Sequence, residues 1–154
     1  MKAIAIDFDG VVHRYSDGWK DGSIYDVPVP GAFQNIRTLL DIGYAVFIHT
    51  TRKPKQVKRW MLEQQGYVTY IQRGGSTGHS RMLMPVQVIP KRTRFWNKAG
   101  VIGVTNRKLP AIVYVDDRAY RFEKGNPQSL VTPWYKAMVE LKTILEGEEN
   151  ANKS

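Results

Sequence analysis

The chain has 154 residues, with 23 Lys and Arg against 14 Asp and Glu, no cysteine, and a formal charge of +9. The missing cysteine excludes a disulfide framework, a thiolate metal site and a cysteine nucleophile. A hydrophobic share of 42% and a mean hydropathy of -0.40 argue against a disordered or membrane-embedded chain. No apolar run approaches the ~18 residues of a bilayer span, and Asp7 interrupts MKAIAIDFDG before a signal segment can form. A cytoplasmic protein without a membrane partner is expected, with one domain over residues 1–147 and a mobile polar tail over 148–154.

Residues 2–8 (KAIAIDF) are short, apolar and β-branched, which predicts a buried strand. It ends on Asp7-Phe8-Asp9-Gly10, where glycine permits a sharp turn. Residues 12–31 mix Gly, Asp, Tyr, Trp and Pro without period and predict a long loop, a kind that is usually functional. Pro30 opens a helical pattern with Phe33, Ile36, Leu39 and Leu40 on one face and Gly43 as its stop. A second strand over residues 44–49 (YAVFIH) delivers Thr50, Thr51 and Arg52, and a second helix follows over residues 54–65. Residues 67–72 predict a third strand, and RGGSTGHS over 73–80 predicts a loop. Residues 81–101 carry no decisive period. A further buried strand (AIVYV, residues 111–115) ends on Asp116 and Asp117, and residues 133–146 form the last predicted helix. Alternation of strands and helices implies right-handed crossovers and one α/β domain, a parallel sheet with helices on both faces.

Ligands of such sheets bind outside the carboxyl ends of the strands. Three predicted strand ends carry polar cargo: Asp7 with Asp9, then Thr50, then Asp116 with Asp117. Carboxylates converging on one crevice repel one another unless a cation neutralises them. An all-oxygen donor set favours a hard ion, Mg²⁺ before others. A single Asp after a single strand would read as a cap or turn residue; two acidic pairs, each ending a strand, make that account weaker.

These residues resemble the haloacid dehalogenase (HAD) superfamily. Asp7-Phe8-Asp9-Gly10-Val11 is similar to its first motif, Thr50 to the strand-terminal Ser/Thr of its second, Lys108 in TNRKLPA to the lysine of its third, and Asp116-Asp117 in VYVDDRA to the acidic pair of its fourth. The resemblance implies a three-layer Rossmann-like sheet and a Mg²⁺-dependent phosphohydrolase acting on phosphate monoesters through an aspartyl-phosphate. Asp7 would be the nucleophile and Asp9 the general acid and base. Thr50 and Lys108 would be catalytic contacts to the phosphoryl group, with Thr51 adjacent as an alternative to Thr50. Mg²⁺ would be held by Asp7, the backbone carbonyl of Asp9, and the Asp116/Asp117 pair, with Asp116 preferred as direct ligand. Only residues 12–30 separate the first motif from the first helix, so no separate cap domain is expected. Thr51, Arg52, His13 and Trp19 are the expected substrate contacts, and Tyr15, Trp19 and Tyr25 form either a base-stacking platform or the loop's own small core. His49 is expected to pack.

The charge is uneven. Residues 52–108 hold thirteen basic residues and one acid, Glu63, a net +12, whereas the rest of the chain holds ten and thirteen, a net -3. The excess predicts a nucleotide or nucleic-acid partner through this segment, the alternatives being solubility or an acidic partner. The competing view of the whole chain is a catalytically silent basic module that binds nucleic acid on a HAD-like fold.

Overall fold

The computed structural model describes residues 2–65, 67–71, 77–81, 83–92, 98–119, 138–140 and 143. The chain divides into two units, Met1–Asp117 and Arg118–Ser154. In the second, residues 138–140 and 143 are helical, within the helix predicted over 133–146. The remainder of that helix, with Trp134, and the tail 148–154 lie outside the described residues, as do Arg73, residues 74–76, Arg94, Phe95 and Trp96.

The first unit contains, in order, β1 (Ala3–Asp7), α1 (Ala32–Asp41), β2 (Ala45–His49), α2 (Pro54–Gln64), β3 (Tyr67–Ile71), β4 (Thr77–Arg81), β5 (Val86–Val88), β6 (Ile102–Thr105) and β7 (Val113–Val115). Five strands form one parallel sheet in the order β5-β6-β2-β1-β7. Asp7 lies opposite His49, and His49 opposite Thr105, so the carboxyl ends of the three central strands are level.

Period-two alternation sorts the side chains between two faces. Ile4, Ile6, Val46, Ile48, Ile102 and Val104 pack against Phe33, Ile36 and Leu40 of α1 and Val57, Trp60 and Met61 of α2. Each large side chain buried there contributes about 1.5–3 kcal/mol. The opposite face presents Ala3, Ala5, Ala45 and Phe47, which meet Ile89 and Leu109. Both helices of this unit thus lie on one face. Among its described residues the other face is covered by loop chain, chiefly residues 106–112 linking β6 to β7 across β2 and β1. Alanines suit that packing, because a backbone without a helix's girth must approach the sheet closely. The Tyr114 hydroxyl donates to the Leu109 carbonyl and ties the crossover to β7.

Three expectations are corrected. The strand predicted over residues 67–72 exists, but it pairs antiparallel with β4 in a separate two-stranded sheet, so part of the predicted loop RGGSTGHS is strand. Gln65, buried at the base of this hairpin, accepts the Met84 N–H at 2.5 Å through Oε1 and stitches the two ends of the excursion together. The stretch without decisive period hides β5 at the sheet edge, and β6 beside β2 follows it unannounced. Both are only three or four residues long, and β6 contains Gly103, so neither offers enough alternation to recognise. Finally, β7 is an edge strand with Val113 47% and Val115 43% exposed, not the buried strand that AIVYV predicts. No described helix is long and apolar enough to cross a membrane.

Candidate functional site

Because the sheet is parallel, the residues that end or follow its strands gather at one edge. Asp7 closes β1, Thr50 follows β2, Thr105 closes β6, and Asp116 and Asp117 follow β7. Carboxylate oxygens of Asp7, Asp116 and Asp117 lie within 4.8 Å of one another. Burial pushes the Asp7 carboxyl up to about 6; the Phe8 backbone opposes the rise, and the charges of Asp116, Asp9 and Asp117 add to it. Those acids disfavour a further negative charge in the crevice, which is the condition a divalent cation relieves.

The residues present fit Mg²⁺. Asp7, Asp116 and Asp117 offer one carboxylate oxygen each, close enough together to serve one small ion, and an all-oxygen donor set suits a hard cation. Gly10 is part of the same construction. Its φ is +84°, and a Cβ there would lie 2.2 Å from Oδ2 of Asp117, so both the backbone and the neighbouring carboxylate require glycine.

Asp9 has a different environment. Its Oδ1 accepts from Nδ1 of His13 at 2.8 Å and from Nε of Arg52 at 3.0 Å, and its Oδ2 accepts from the same Nε at 2.9 Å. Nε2 of His13 accepts the Asp26 N–H at 3.1 Å, which sets the neutral tautomer with its proton on Nδ1. The imidazole is fully buried, stacked on Phe8 at 5.4 Å and edge-on to Trp60 at 5.5 Å. Arg52, only 2% exposed, also donates through Nη1 to the carbonyls of Gly22 at 2.6 Å and Ser23 at 3.2 Å.

The loop over residues 12–30 is therefore built around the Asp9 carboxylate. Tyr25 serves the loop itself, donating its hydroxyl to the Gly18 carbonyl at 3.0 Å and accepting the Asp17 N–H at 2.7 Å. Tyr15 packs near the His13 ring. Trp19 is 47% exposed and carries the Arg52 guanidinium 4.5 Å from its ring. Of the four expected substrate contacts, His13 and Arg52 are buried and engaged with Asp9, because both reach inward from segments that flank it. Thr51 and Trp19 are exposed.

Thr50 is buried, its N–H bonded to the Thr105 carbonyl at 3.0 Å and its Oγ1 accepting the Arg52 N–H at 3.0 Å. Its own hydroxyl proton is left to donate elsewhere. The same turn recurs one strand away, where Thr105 Oγ1 accepts the Arg107 N–H at 3.1 Å. Thr-x-Arg follows both strands in the sequence (TTR and TNR), a signal that would have located the end of β6. Lys108 is exposed, its ammonium 5.4 Å from the Tyr114 ring centroid, and among the described residues no ion pair joins it to Asp7. His49 feels the charges of both Lys108 and Asp116. Burial holds its pKa below the ordinary value, the Lys108 charge adds to that, and Asp116 opposes it.

No family model, curated protein or solved structure matches this chain.

Proposed function

We propose that the protein is a Mg²⁺-dependent phosphohydrolase of the HAD type, cleaving phosphate monoesters through an aspartyl-phosphate. The observation that carries the reading is the pairing of two unlike carboxylate environments two residues apart. Asp7 faces Asp116 and Asp117 in an acidic crevice, while Asp9 is turned into a bracket formed by His13 and Arg52. Distinct settings are what two carboxyl groups with different tasks require.

In this mechanism Asp7, Asp116 and Asp117, with the Asp9 carbonyl, hold Mg²⁺, which supplies charge neutralisation to the phosphoryl oxygens. A carboxylate oxygen of Asp7 attacks phosphorus as the bond to the leaving oxygen breaks. Asp9, an acceptor at both oxygens in this bracket, takes up a proton from solvent as substrate binds and gives it to that leaving oxygen. Oδ2 is the oxygen suited to this, since Arg52 alone contacts it and Oδ1 already accepts from both partners. Water then attacks the same phosphorus and gives a proton to Asp9, while the bond to Asp7 breaks and inorganic phosphate leaves. The Thr50 hydroxyl donates to a phosphoryl oxygen, and Lys108 swings from Tyr114 to the incoming charge. The same reading has no separate cap domain, which would leave the site open to large substrates.

Phosphate release from an aryl phosphate tests the proposal. Release is expected with Mg²⁺, and its loss with excess chelator or in Asp7→Asn. Activity that survives chelation would end the Mg²⁺ requirement, and no release from any phosphate ester would return the chain to the silent binding module.

A further inference from the structure

The sheet order divides the carboxyl edge into two electrically opposite halves. On the β1 and β7 side the strand ends carry Asp7, Asp9, Asp116 and Asp117. On the β2, β6 and β5 side, the described residues that follow the strands (50–55, 89–92 and 106–108) include no acid at all. They include Lys53 and Lys55 after β2, Arg107 and Lys108 after β6, and Lys91 and Arg92 after β5. The sequence spreads these six over more than fifty positions, and the order β5-β6-β2 brings them to adjoining loops. Arg107 joins two of the loops directly, donating through Nη2 to the Pro90 carbonyl at 2.9 Å.

Stability does not account for this arrangement. Lys53 is the N-cap of α2 and Lys55 lies in its first turn, where no acid is present. Cations there oppose the helix dipole. Lys53, Lys55, Lys91 and Arg92 are all exposed, and none forms an ion pair with a described residue. Four unneutralised cations beside a row of acids are placed where a ligand charged along its length would meet them.

From this we infer that the basic half of the edge is a track for a single nucleic-acid strand whose terminal phosphate monoester enters the acidic half. The inference rests on the phosphohydrolase reading and adds the substrate class. Length selects a strand over a mononucleotide. Three strand spacings of about 4.8 Å separate β1 from β5, roughly 14 Å in all. Even at the duplex spacing of about 3.4 Å per phosphate, a strand of a few nucleotides covers this distance and meets each basic loop in turn, whereas a single monoester occupies only the acidic end.

The test is fluorescence anisotropy of a labelled single-stranded oligonucleotide with a phosphate at its unlabelled end. Asp7→Asn with Mg²⁺ serves as the non-cleaving protein, alone and combined with Lys91→Ala/Arg92→Ala or with Lys53→Ala/Lys55→Ala. Affinity should fall linearly with the logarithm of salt concentration, with a slope of about -0.7 per phosphate contacted. Each double substitution should weaken binding about tenfold at low salt and flatten the slope by about 1.4. Adenosine triphosphate binding should change by less than about twofold under Lys91→Ala/Arg92→Ala, because a triphosphate is too short to reach β5. No binding at about 50 mM salt, affinity indifferent to the substitutions, or equally tight binding of an acidic peptide of the same charge would overturn the track. Aryl-phosphate hydrolysis on the Asp7 background separates the two readings. If strand binding behaves as expected and no ester is cleaved, the track stands and the phosphohydrolase falls. If esters are cleaved and strand binding is absent, the reverse holds.

Discussion

Asp9 and His13 are four residues apart, and their hydrogen bond is one end of a short relay that runs from the carboxylate through the imidazole to the Asp26 amide. The relay uses both ring nitrogens of a fully buried His13, so neither is free to act on a ligand. His13 is a positioning residue for Asp9. Truncation to Ala would leave the Asp26 N–H without a partner and open a cavity between Phe8 and Trp60, costing about 3 kcal/mol. His13→Ala should also impair alkyl phosphates more than aryl phosphates. A misoriented acid matters most when the leaving group needs its proton. Steady-state rates on both ester classes, measured well below the melting temperature of the variant, provide the check. Equal losses on the two would show that His13 merely supports the loop.

Among the elements, the residues linking β6 to β7 have the most consequence for the site. A crossover that bears a helix would set Lys108 at a distance dictated by that helix. Here the chain passes directly over Ala3, Ala5 and Ala45, and Leu109 anchors it one residue beyond Lys108. Ala5 is completely buried in this contact. A larger side chain there would lift the crossover from the sheet and carry Lys108 with it. Ala5→Leu is therefore expected to cost about 1–3 kcal/mol through overpacking and to lower turnover. The conservative Ala5→Gly should leave the crossover seated. Chemical denaturation with parallel rate measurements would decide this, and an Ala5→Leu protein of unchanged stability would refute the packing account.

At the scale of the whole molecule, the acidic crevice links stability to pH and metal. The Asp7 carboxyl sits at about 6 in the folded protein against an ordinary value of 3.8. Between those values the folded state holds more protons than the unfolded chain, so metal-free stability falls as pH rises through this window. Above it the penalty is fully present. Discounted for the partial exposure of the group, it is about 1 kcal/mol, or about 3 °C in melting temperature for a chain of this size. Asp7→Asn should therefore melt higher than the parent at about pH 7.5 without metal, and the gap should close near pH 3.5, where Asp7 is protonated in both states. Mg²⁺ should raise the parent's melting temperature at about pH 7.5 and lose that effect near pH 4.5. Thermal scans at these pH values, with and without Mg²⁺, would test both statements. A parent protein whose metal-free stability rises over this interval, with no contribution from the variant, would show that Asp7 ionises without hindrance.

Local pattern was sufficient for the parts of this protein that depend on near neighbours. Alternation in KAIAIDF and YAVFIH determined β1 and β2, helical spacing after Pro30 and Pro54 determined which faces of α1 and α2 are buried, and polar residues closing the strands marked where Asp7, Asp116 and Asp117 would be brought together. What local pattern could not reach were choices made between distant segments. Arg52 and Asp9 are 43 residues apart, and whether a basic side chain beside a crevice meets a ligand or a buried carboxylate depends on the turn that intervenes. The two short strands β5 and β6 acquire their identity from β2, against which β6 completes its hydrogen bonds, rather than from their own three or four residues. Tertiary order also decided the charge layout, since only the sequence β5-β6-β2-β1-β7 sets the basic loops on one side of the edge and the carboxylates on the other. A net charge is a property of composition, whereas a field depends on where the folded sheet puts each charge.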